Sequence, residues 1–169
     1  MNTKSSNFDI KPIALETVPQ LKRLLHAVWS ITYRDTLGQP LIDELSGDLH
    51  ADEKLNGEIV DYSKLSLGAF VGDKLIGHVM VVFEEPENIY VGRLYVDPAF
   101  QGKGVGRALM GAAEEGFEDV TTATLEVFET SKGAIEFYKK MGYQQVGRNR
   151  SSHAAPREMF DLHFLKIFE

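Results

Sequence analysis

LYVDPAFQGKGVGRALM, residues 94–110, joins an apolar segment to an amphipathic one through a run of alternating glycines. The apolar residues on its N-terminal side predict a strand over 89–96, and the spacing of Val105 and Leu109 predicts a helix after the glycines. Because a strand, a helix and a second strand form an α/β unit, we expect the next strand to run parallel to the first.

The glycine run has the features of an anion-binding turn. Gly102, Gly104 and Gly106 lack the Cβ atoms that would keep a phosphate away from the backbone, and the N–H groups at a helix start are unpaired and partly positive. Lys103 and Arg107 add two cations at the same point of a chain whose net charge is −7. The stretch therefore predicts a pyrophosphate site rather than a chain reversal alone.

Two other phosphate-binding motifs fit this run poorly. A P-loop requires G-x-x-x-x-G-K-[ST], but here Gly102 and Lys103 are followed by Gly104. A dinucleotide fingerprint requires G-x-G-x-x-G, whereas the spacing here is G-x-G-x-G and only 63 residues follow Gly106. Glu126, 20 residues after Gly106, is one acidic match to that fingerprint.

The rest of the chain predicts a single domain over 1–169 in which residues 1–7 are flexible. Helices are expected from Thr17, over Pro40–Tyr62 in one or two pieces, and over Lys132–Met141. Runs of alternating or continuous apolar residues predict further strands over Phe8–Ile13, Ser66–Val71, Lys74–Phe83, Thr121–Phe128, Tyr143–Val146 and Glu158–Ile167. Gly72-Asp73 is predicted to form the hairpin turn between the second and third of these strands.

The ends of these helices also carry local signals. Thr17 and Gln20 have the spacing of a capping box, Ser131 is expected to cap the last helix, and Gly142 is expected to end it. Arg148–Arg157 predicts a polar, basic connection. The inward face of the first helix is predicted to carry Leu21, Leu24, Leu25, Val28 and Ile31, and that of the second region Leu41, Ile42, Leu45, Leu49, Leu55 and Ile59.

Composition and charge exclude several classes of protein. The chain has no cysteine, which excludes disulfides, a Cys-rich zinc site and a thiol nucleophile. A net charge of −7 argues against general nucleic-acid binding, and the longest uninterrupted aliphatic and aromatic run, Val79–Phe83, is too short for a membrane span. The histidines show no metal-binding spacing. Because Met1–Asp9 lacks the apolar core of an export signal, we expect a cytoplasmic location.

Gln101, Gly104 and Gly106 form Q-x-x-G-x-G after a strand that ends in Val96 and Asp97-Pro98. This arrangement resembles the acyl-CoA signature of the GNAT superfamily of N-acetyltransferases. A second stretch, Leu125-x-Val127 followed by Ala134-x-x-Phe137-Tyr138-x-x-x-Gly142-Tyr143, is similar to that family's next motif, on its fifth strand and fourth helix. The specific matches run from about 88 to 147, and the first 87 residues match only as an order of elements.

The resemblance implies a fold of mixed α/β class. Its centre is a mixed, mostly antiparallel sheet of six to seven strands, splayed between the fourth and fifth strands and flanked by about four helices. It also implies acetyl-CoA as co-substrate, no metal, and transfer of an acetyl group to a primary amine of a small molecule or peptide by direct attack in a ternary complex. A non-catalytic module that binds or senses acyl-CoA on the same fold is the alternative.

The resemblance assigns roles to individual residues. Val96 would polarise the thioester carbonyl through its amide, Leu94 and Val96 would bond the pantetheine arm like an added strand, and Tyr138 would protonate or hydrogen-bond the departing thiolate. The full set implied to contact CoA is Leu94, Tyr95, Val96, Gln101, Gly102, Lys103, Gly104, Val105, Gly106, Arg107, Ser131, Ala134, Phe137 and Tyr138.

The chain departs from the family pattern at two positions. Ser131 replaces an asparagine that often pairs with the cofactor, and Tyr90 stands where some members carry a glutamate base. The general base is therefore not assigned by resemblance. The candidate bases are Glu84, Glu85, Glu87, Tyr90, Asp97 and His78, each of which also has an ordinary structural reading, and proton loss through ordered water is a further alternative.

The amine acceptor is also left open. Trp29 and Tyr33, four residues apart on one helix face, are candidate substrate-binding residues, with core packing as the alternative. The acidic run 43–61 would suit a polyamine or a lysine-rich peptide, although a solvated helix face is its ordinary reading. Arginines in the loop 148–153 would instead suit a carboxylate. The oligomeric state stays open, a homodimer included.

Overall fold

The computed structural model describes residues 7–152 and 158–169, so the predicted flexible start at 1–7 lies outside the described residues except for its last position. A seven-stranded sheet is flanked by five α-helices. The helices are α1 (Val18–Leu37), α2 (Gln39–Leu49), α3 (Asp52–Val60), α4 (Val105–Glu114) and α5 (Lys132–Lys140). The strands are β1 (Asp9–Pro12), β2 (Lys64–Val71), β3 (Lys74–Glu84), β4 (Asn88–Val96), β5 (Thr122–Phe128), β6 (Gln144–Arg150) and β7 (Phe160–Ile167).

The strands lie in the order β1-β2-β3-β4-β5-β7-β6, and every neighbouring pair is antiparallel except β4 and β5. The predicted mixed, mostly antiparallel sheet is therefore confirmed, and the parallel pair is the one that α4 connects. The helix count exceeds the expected four because the acid-rich region folds as two helices, which are separated at His50 and Ala51.

The parallel pair β4–β5 is joined over only part of its length. Its register runs from Asn88 opposite Thr122 to Val91 opposite Leu125 and stops there. Beyond this point Gly92–Val96 and Glu126–Phe128 continue as strands, paired on their outer sides with β3 and β7. The sheet thus opens between β4 and β5, which confirms the predicted splay.

A β-bulge at the start of the opening changes which side chains of β4 face which side of the sheet. Met80 on β3 lies opposite Arg93, while Val81 lies opposite Val91, so Gly92 is the extra residue. Val91 and, three residues later, Leu94 therefore pack against the same core cluster. Tyr95 instead packs against the clusters on the other side, built by α1 and its neighbours.

Each side of the sheet has its own apolar core. On the first, called here the α4 side, Leu109 of α4 and Ile135 of α5 pack with Leu125 and Phe164. On the second, the α1 side, Leu25 of α1 packs with other helix and strand side chains, and the fully buried Leu55 of α3 belongs to the same cluster. Within the described residues, no helix is both long enough and apolar enough to cross a bilayer.

Several local predictions are wrong because tertiary contacts prevail. Thr17 precedes α1 but makes no side-chain capping bond. The Gln20 amide instead reaches the β2–β3 turn, where its Nε2 donates to Asp73 O at 3.1 Å and its Oε1 accepts from Leu75 N at 2.8 Å. Ile31, predicted to face inward, is 63% exposed.

Two boundaries near the C-terminal half also differ from prediction. Ser131 occupies the start of α5 without a side-chain cap, whereas Gly142 has the expected positive φ, +95°. β6 continues to Arg150 rather than stopping at Val146, so Arg148–Arg150 is strand. β6 is an edge strand, and both of its faces are largely exposed. Its residues are therefore mostly polar, and the alternation of apolar and polar residues that predicts a strand is missing. The rest of the predicted basic connection, 153–157, lies outside the described residues.

Candidate active site

The glycine turn at the mouth of the opening requires glycine for its backbone conformation. Gly102 has φ +73° and Gly104, the residue that precedes α4, has φ +85°. A Cβ atom at either position would meet no heavy atom within 4 Å, so conformation rather than space demands glycine there. At Gly106 a Cβ atom would lie 3.5 Å from the Phe137 ring and 3.8 Å from a Val96 methyl group, which makes this position the narrow part of the turn.

Within the described residues, the six consecutive backbone N–H groups of residues 102–107 make no hydrogen bond of normal geometry, although residues 101–104 form a turn. The first N–H of α4 that is bonded is that of Ala108, which donates to Gly104 O at 3.0 Å. Unpaired N–H groups at a helix start attract an anion. Unpaired N–H groups of this kind can donate hydrogen bonds to a phosphate group.

Three cations surround this turn. Lys103 and Arg107 belong to it, and both are exposed. The tertiary structure adds Lys74, the first residue of β3, whose Nζ lies 5.2 Å from the Phe100 ring centroid, while Lys103 Nζ lies 5.3 Å from the same ring. The sequence analysis missed Lys74 because its proximity depends on the pairing of β3 with β4.

Main-chain groups of β4 face the opening. The N–H of Asp97 donates to Ile76 O at 2.8 Å, toward β3. Because successive residues of a strand direct their N–H and C=O groups to opposite sides, Val96 and Leu94 direct theirs toward β5, where the pairing has ended. The Gln101 side chain donates from Nε2 to Val96 O at 3.0 Å and so ties the turn to the strand.

Tyr138 on α5 is 8% exposed and packs edge-on against Tyr143, with 5.8 Å between the ring centroids. Burial raises the pKa of its phenol well above the usual value, and the phenols of Tyr95 and Tyr90 add to this effect. Tyr138 therefore keeps its proton at neutral pH. Tyr138 belongs to the apolar cluster that also includes Val91 of β4 and against which Leu94 and Val96 pack.

The two aromatic candidates for acceptor binding lie together in the structure. Trp29 and Tyr33 meet edge-on at 5.2 Å, and Tyr33 meets Phe128 of β5 in the same way at 5.5 Å. Burial, followed by the phenol of Tyr95, raises the pKa of Tyr33. The indole Nε1 of Trp29 is buried and has no hydrogen-bond partner within the part of the chain that the structure describes. This aromatic group packs α1 against both strands of the opening.

Of the residues implied to contact the cofactor from α5 and its start, Phe137 lies beside the turn. The Phe137 ring lies 3.5 Å from the position that a Cβ atom of Gly106 would occupy. Both Phe137 and Ala134 pack against the core of the α4 side. The Ser131 hydroxyl is not used as a helix cap. It is therefore not committed to the helix that it precedes.

Most candidate bases have other partners. His78 is fully buried, hydrogen-bonds Ser66 Oγ through Nε2 at 2.9 Å, and has a lowered pKa because of that burial. Asp97 Oδ1 accepts from Ala99 N at 2.9 Å and holds the short 3-10 turn Pro98–Phe100. Glu87 Oε2 accepts from the Thr121 hydroxyl at 3.0 Å.

Tyr90 lines a cavity of about 480 Å³ together with residues that the sequence analysis did not connect to it. Burial, with a contribution from Glu126, raises its pKa to about 12, so it is not a base at neutral pH. Glu126 and His163 stand opposite each other in the β5–β7 register and approach to 3.3 Å. The other residues that line the cavity are Glu84, Thr124, Leu125, Val146 and Phe164.

Several charged side chains that the sequence suggested for binding the amine acceptor instead form ion pairs within the protein. In the acidic run, Asp43 pairs with His26 at 3.0 Å, Asp52 pairs with Lys22 at 2.9 Å, and Glu58 pairs with Arg93. Arg148 makes two hydrogen bonds to Glu129, at 2.8 and 3.1 Å. Over residues 7–152 and 158–169, no three His, Asp or Glu side chains come together as metal ligands.

Comparison with known proteins gives matches to acetyltransferases. Residues 23–143 match the model of the acetyltransferase (GNAT) family. Two curated relatives are the N-alpha-acetyltransferase RimI of Mycobacterium tuberculosis, 31% identical over 98 residues (56% of this chain, 61% of that protein), and the peptidyl-lysine N-acetyltransferase YjaB of Salmonella typhimurium, 28% identical over 108 residues (63% and 69%). The matched segments span from 26% to 69% of the length of such relatives.

Among solved structures, the chain resembles the crystal structure of the PaiA N-acetyltransferase from Thermoplasma acidophilum in complex with coenzyme A. The TM-score is 0.84 at 23% identity, and the match covers 95% of this chain and 99% of that one. At this identity the likeness shows the fold. Because the family model covers most of the chain, including both motifs and the opened strand pair, the protein belongs to the GNAT family of acetyltransferases.

Proposed function

We propose that this protein transfers an acetyl group from acetyl-CoA to a primary amine by direct attack in a ternary complex. The observation that carries the proposal is the row of six unbonded N–H groups at the turn 102–107, beside an open strand edge. Such a turn fits a pyrophosphate, and such an edge fits an extended amide-containing arm. The family to which the chain belongs supports the same reaction class.

The turn would hold the pyrophosphate of CoA. Its free N–H groups supply the hydrogen bonds, while Lys103 and Arg107 supply the charge, and the missing Cβ atoms let the phosphates approach the backbone. Phe137 and Gly106 limit the space on the inner side of the turn. The proposed cofactor-binding set also includes Ser131, Ala134, Val105 and Gly102.

The open edge of β4 would hold the pantetheine arm and the acyl group. Leu94 presents N–H and C=O groups, and Val96 an N–H group, that β5 leaves unpaired, so an amide chain can bond to them as an added strand. The bound acetyl-CoA supplies the thioester that donates the acetyl group. The N–H of Val96 would polarise the thioester oxygen, and a donor of this kind in a dry site contributes roughly 3–4 kcal/mol.

Tyr138 would give its proton to the sulfur that leaves. Burial raises the pKa of the Tyr138 phenol, so this residue keeps its proton at neutral pH and can donate it. The chain contains no cysteine, which removes a thiol-bound acyl-enzyme from consideration and favours direct attack by the amine.

The acceptor would approach from the α1 side, where Trp29 and Tyr33 pack against Phe128 and Tyr95. Of the relatives named above, one is named as an N-alpha-acetyltransferase and the other as a peptidyl-lysine N-acetyltransferase. We therefore propose a primary amine of a peptide or of a small molecule. A cytoplasmic location stays a prediction from the sequence.

The test measures thiol release from acetyl-CoA with the purified chain and a panel of primary amines: lysine peptides, peptides with free N-termini, linear polyamines and small alkylamines. Mass spectrometry of the products should show an added acetyl group on the amine. Binding of CoA by calorimetry without turnover on any of these amines would contradict the proposed catalysis and would instead fit a non-catalytic acyl-CoA-binding module.

A further inference from the structure

Glu126 and His163 form a carboxylate–imidazole pair at the place where the sheet opens. Glu126 directly follows Leu125, the last residue of β5 that pairs with β4. His163 lies opposite Glu126 in the antiparallel β5–β7 register, and its Nδ1 lies 3.3 Å from Glu126 Oε1. Both side chains are about one-third exposed, so water and a polar ligand can reach them.

The pair lines the cavity of about 480 Å³ that Tyr90 also lines. Leu125 and Phe164, which also line the cavity, belong to the same apolar cluster as Tyr138. The cavity therefore shares lining residues with the core that holds the phenol proposed to protonate the leaving sulfur. An amine placed in it would reach the opening from the side opposite α4.

We propose that His163 is the general base that removes the proton from the acceptor's ammonium group, and that Glu126 positions it. This inference rests on the proposed acetyl transfer. A primary alkylammonium has a pKa of about 10.4, so its proton must be removed before the nitrogen can attack a thioester. With Glu126 Oε1 at 3.3 Å from Nδ1, the carboxylate favours the proton on that nitrogen, and therefore the tautomer whose Nε2 is unprotonated and able to accept the ammonium proton.

The proton balance of the step is complete. His163 Nε2 takes one proton from the ammonium, which leaves a lone pair on nitrogen, and the imidazolium later releases that proton to solvent. As the new C–N bond forms and the C–S bond breaks, Tyr138 passes its proton to sulfur and regains one from the nitrogen. The products are an amide, a thiol and one released proton.

The other charged groups near His163 favour a cationic ligand. Glu84 and Tyr90 line the same cavity from β3 and β4, and Asp161 lies two residues before His163 on the same side of β7. The neighbouring cation on β6, Arg148, is held by Glu129 instead. The cavity therefore has an acidic character that suits an ammonium group.

The test compares His163→Gln with the wild-type chain on the amine of the panel that the wild type acetylates best. His26→Gln is the matched control, since His26 also pairs with a carboxylate, at 3.0 Å from Asp43, but lies between helices away from the opening. We expect His163→Gln to lower kcat/KM for the amine at pH 7 by about 100-fold or more, with CoA affinity by calorimetry unchanged. His26→Gln should keep wild-type rates.

The pH profile separates a base from a merely structural residue. Between pH 7 and pH 10 the free amine accumulates in solution, so the difference between wild type and His163→Gln should shrink toward none. Tyr90, whose pKa is about 12, stays protonated over this range. A loss that stays constant with pH, or a loss of less than threefold, would overturn the assignment of His163 as the base.

Glu126 has its own readout. In long-range ¹H–¹⁵N spectra of the free protein, neutral His163 should be protonated at Nδ1, and Glu126→Leu should shift it toward the Nε2-protonated tautomer. Glu126→Gln, which keeps an acceptor oxygen, should lose less activity than Glu126→Leu. An Nε2-protonated His163 in the wild type would overturn the proposal.

Wild-type protein that acetylates no amine of the panel would overturn the proposed function and this inference together. Turnover that His163→Gln retains would overturn this inference alone.

Discussion

Val91 of β4 lies opposite Leu125 of β5, and this is the last pair that joins the two parallel strands. Gly92 follows Val91 as the bulged residue, and Glu126 follows Leu125 as one half of the carboxylate–imidazole pair. One register position therefore marks both the start of the open backbone edge and the wall of the proposed acceptor cavity.

Replacing the proposed acid tests the chemistry of the opening. Tyr138→Phe should lower kcat by about 100-fold or more while CoA affinity stays the same, because the ring still fills its space but has no proton to give. Tyr143→Phe is the matched control, since that phenol packs against Tyr138 yet donates to Glu114 Oε1 at 2.9 Å. Stopped-flow thiol release and calorimetry measure the two effects. Equal kcat values for Tyr138→Phe and wild type would refute the role of Tyr138.

Reversing a charge at the turn tests where the pyrophosphate lies. Lys103→Glu should weaken CoA binding by about tenfold at low salt, and the loss should shrink at high salt because the residue is exposed and its charge is screened. Lys54→Glu makes the same charge change on α3, away from the turn, and should leave affinity unaltered. Calorimetric titrations at two salt concentrations check this, and equal affinities of the two variants would argue against the turn as the binding site.

The ion pair beneath β4 should be important for stability. Arg93, next to the bulge, pairs with Glu58 of α3, the two side chains are 10% and 15% exposed, and the Arg93 Nη1 atom already has no hydrogen-bond partner within the described residues. Glu58→Ala leaves a buried cation unpaired and should lower the free energy of unfolding by about 3–5 kcal/mol.

Glu53→Ala, an exposed position on the same helix, is the control for that substitution and should change the free energy of unfolding by less than about 0.5 kcal/mol. Urea unfolding followed by circular dichroism measures both variants. A loss for Glu58→Ala as small as that of the control would show that the pair contributes nothing net.

Acid should destabilise the fold through His50. Burial lowers its pKa from 6.5 to about 4, with Arg93 as the next cause, and it lies against the Trp29 ring and Ser46. Because the unfolded chain binds the proton more readily, stability is full above pH 6.5 and is lost as the pH falls toward 4, by roughly 3 kcal/mol.

His50→Gln removes this titration, so its loss of stability between pH 6.5 and pH 4 should be smaller than that of the wild type by about the same amount. Part of the acid loss should remain in the variant, because burial also lowers the pKa of His78. Urea unfolding at several pH values in this range measures the difference. Parallel pH profiles for the two proteins would contradict the assignment to His50.

The predictable parts of this site are those whose signal is local. The positive φ values of Gly102 and Gly104 follow from residue type, and the free N–H groups follow from the start of α4. The cation Lys74 was not predictable, because it lies 29 positions before Lys103 and reaches the Phe100 ring only through strand pairing. The role of Gln20 was misread for the same reason, since its partners lie in the β2–β3 turn.

The sequence by itself determined the order of strands and helices, the parallel crossover through α4 and the anion-binding turn, because periodicity, helix starts and glycine conformations depend on neighbours along the chain. Only the tertiary structure decided where β4 and β5 separate, which side of the sheet Tyr95 faces after Gly92, and that Glu126 meets His163. Strand register and bulges result from the packing of the whole core, and a shift by one residue would place these side chains on the opposite face.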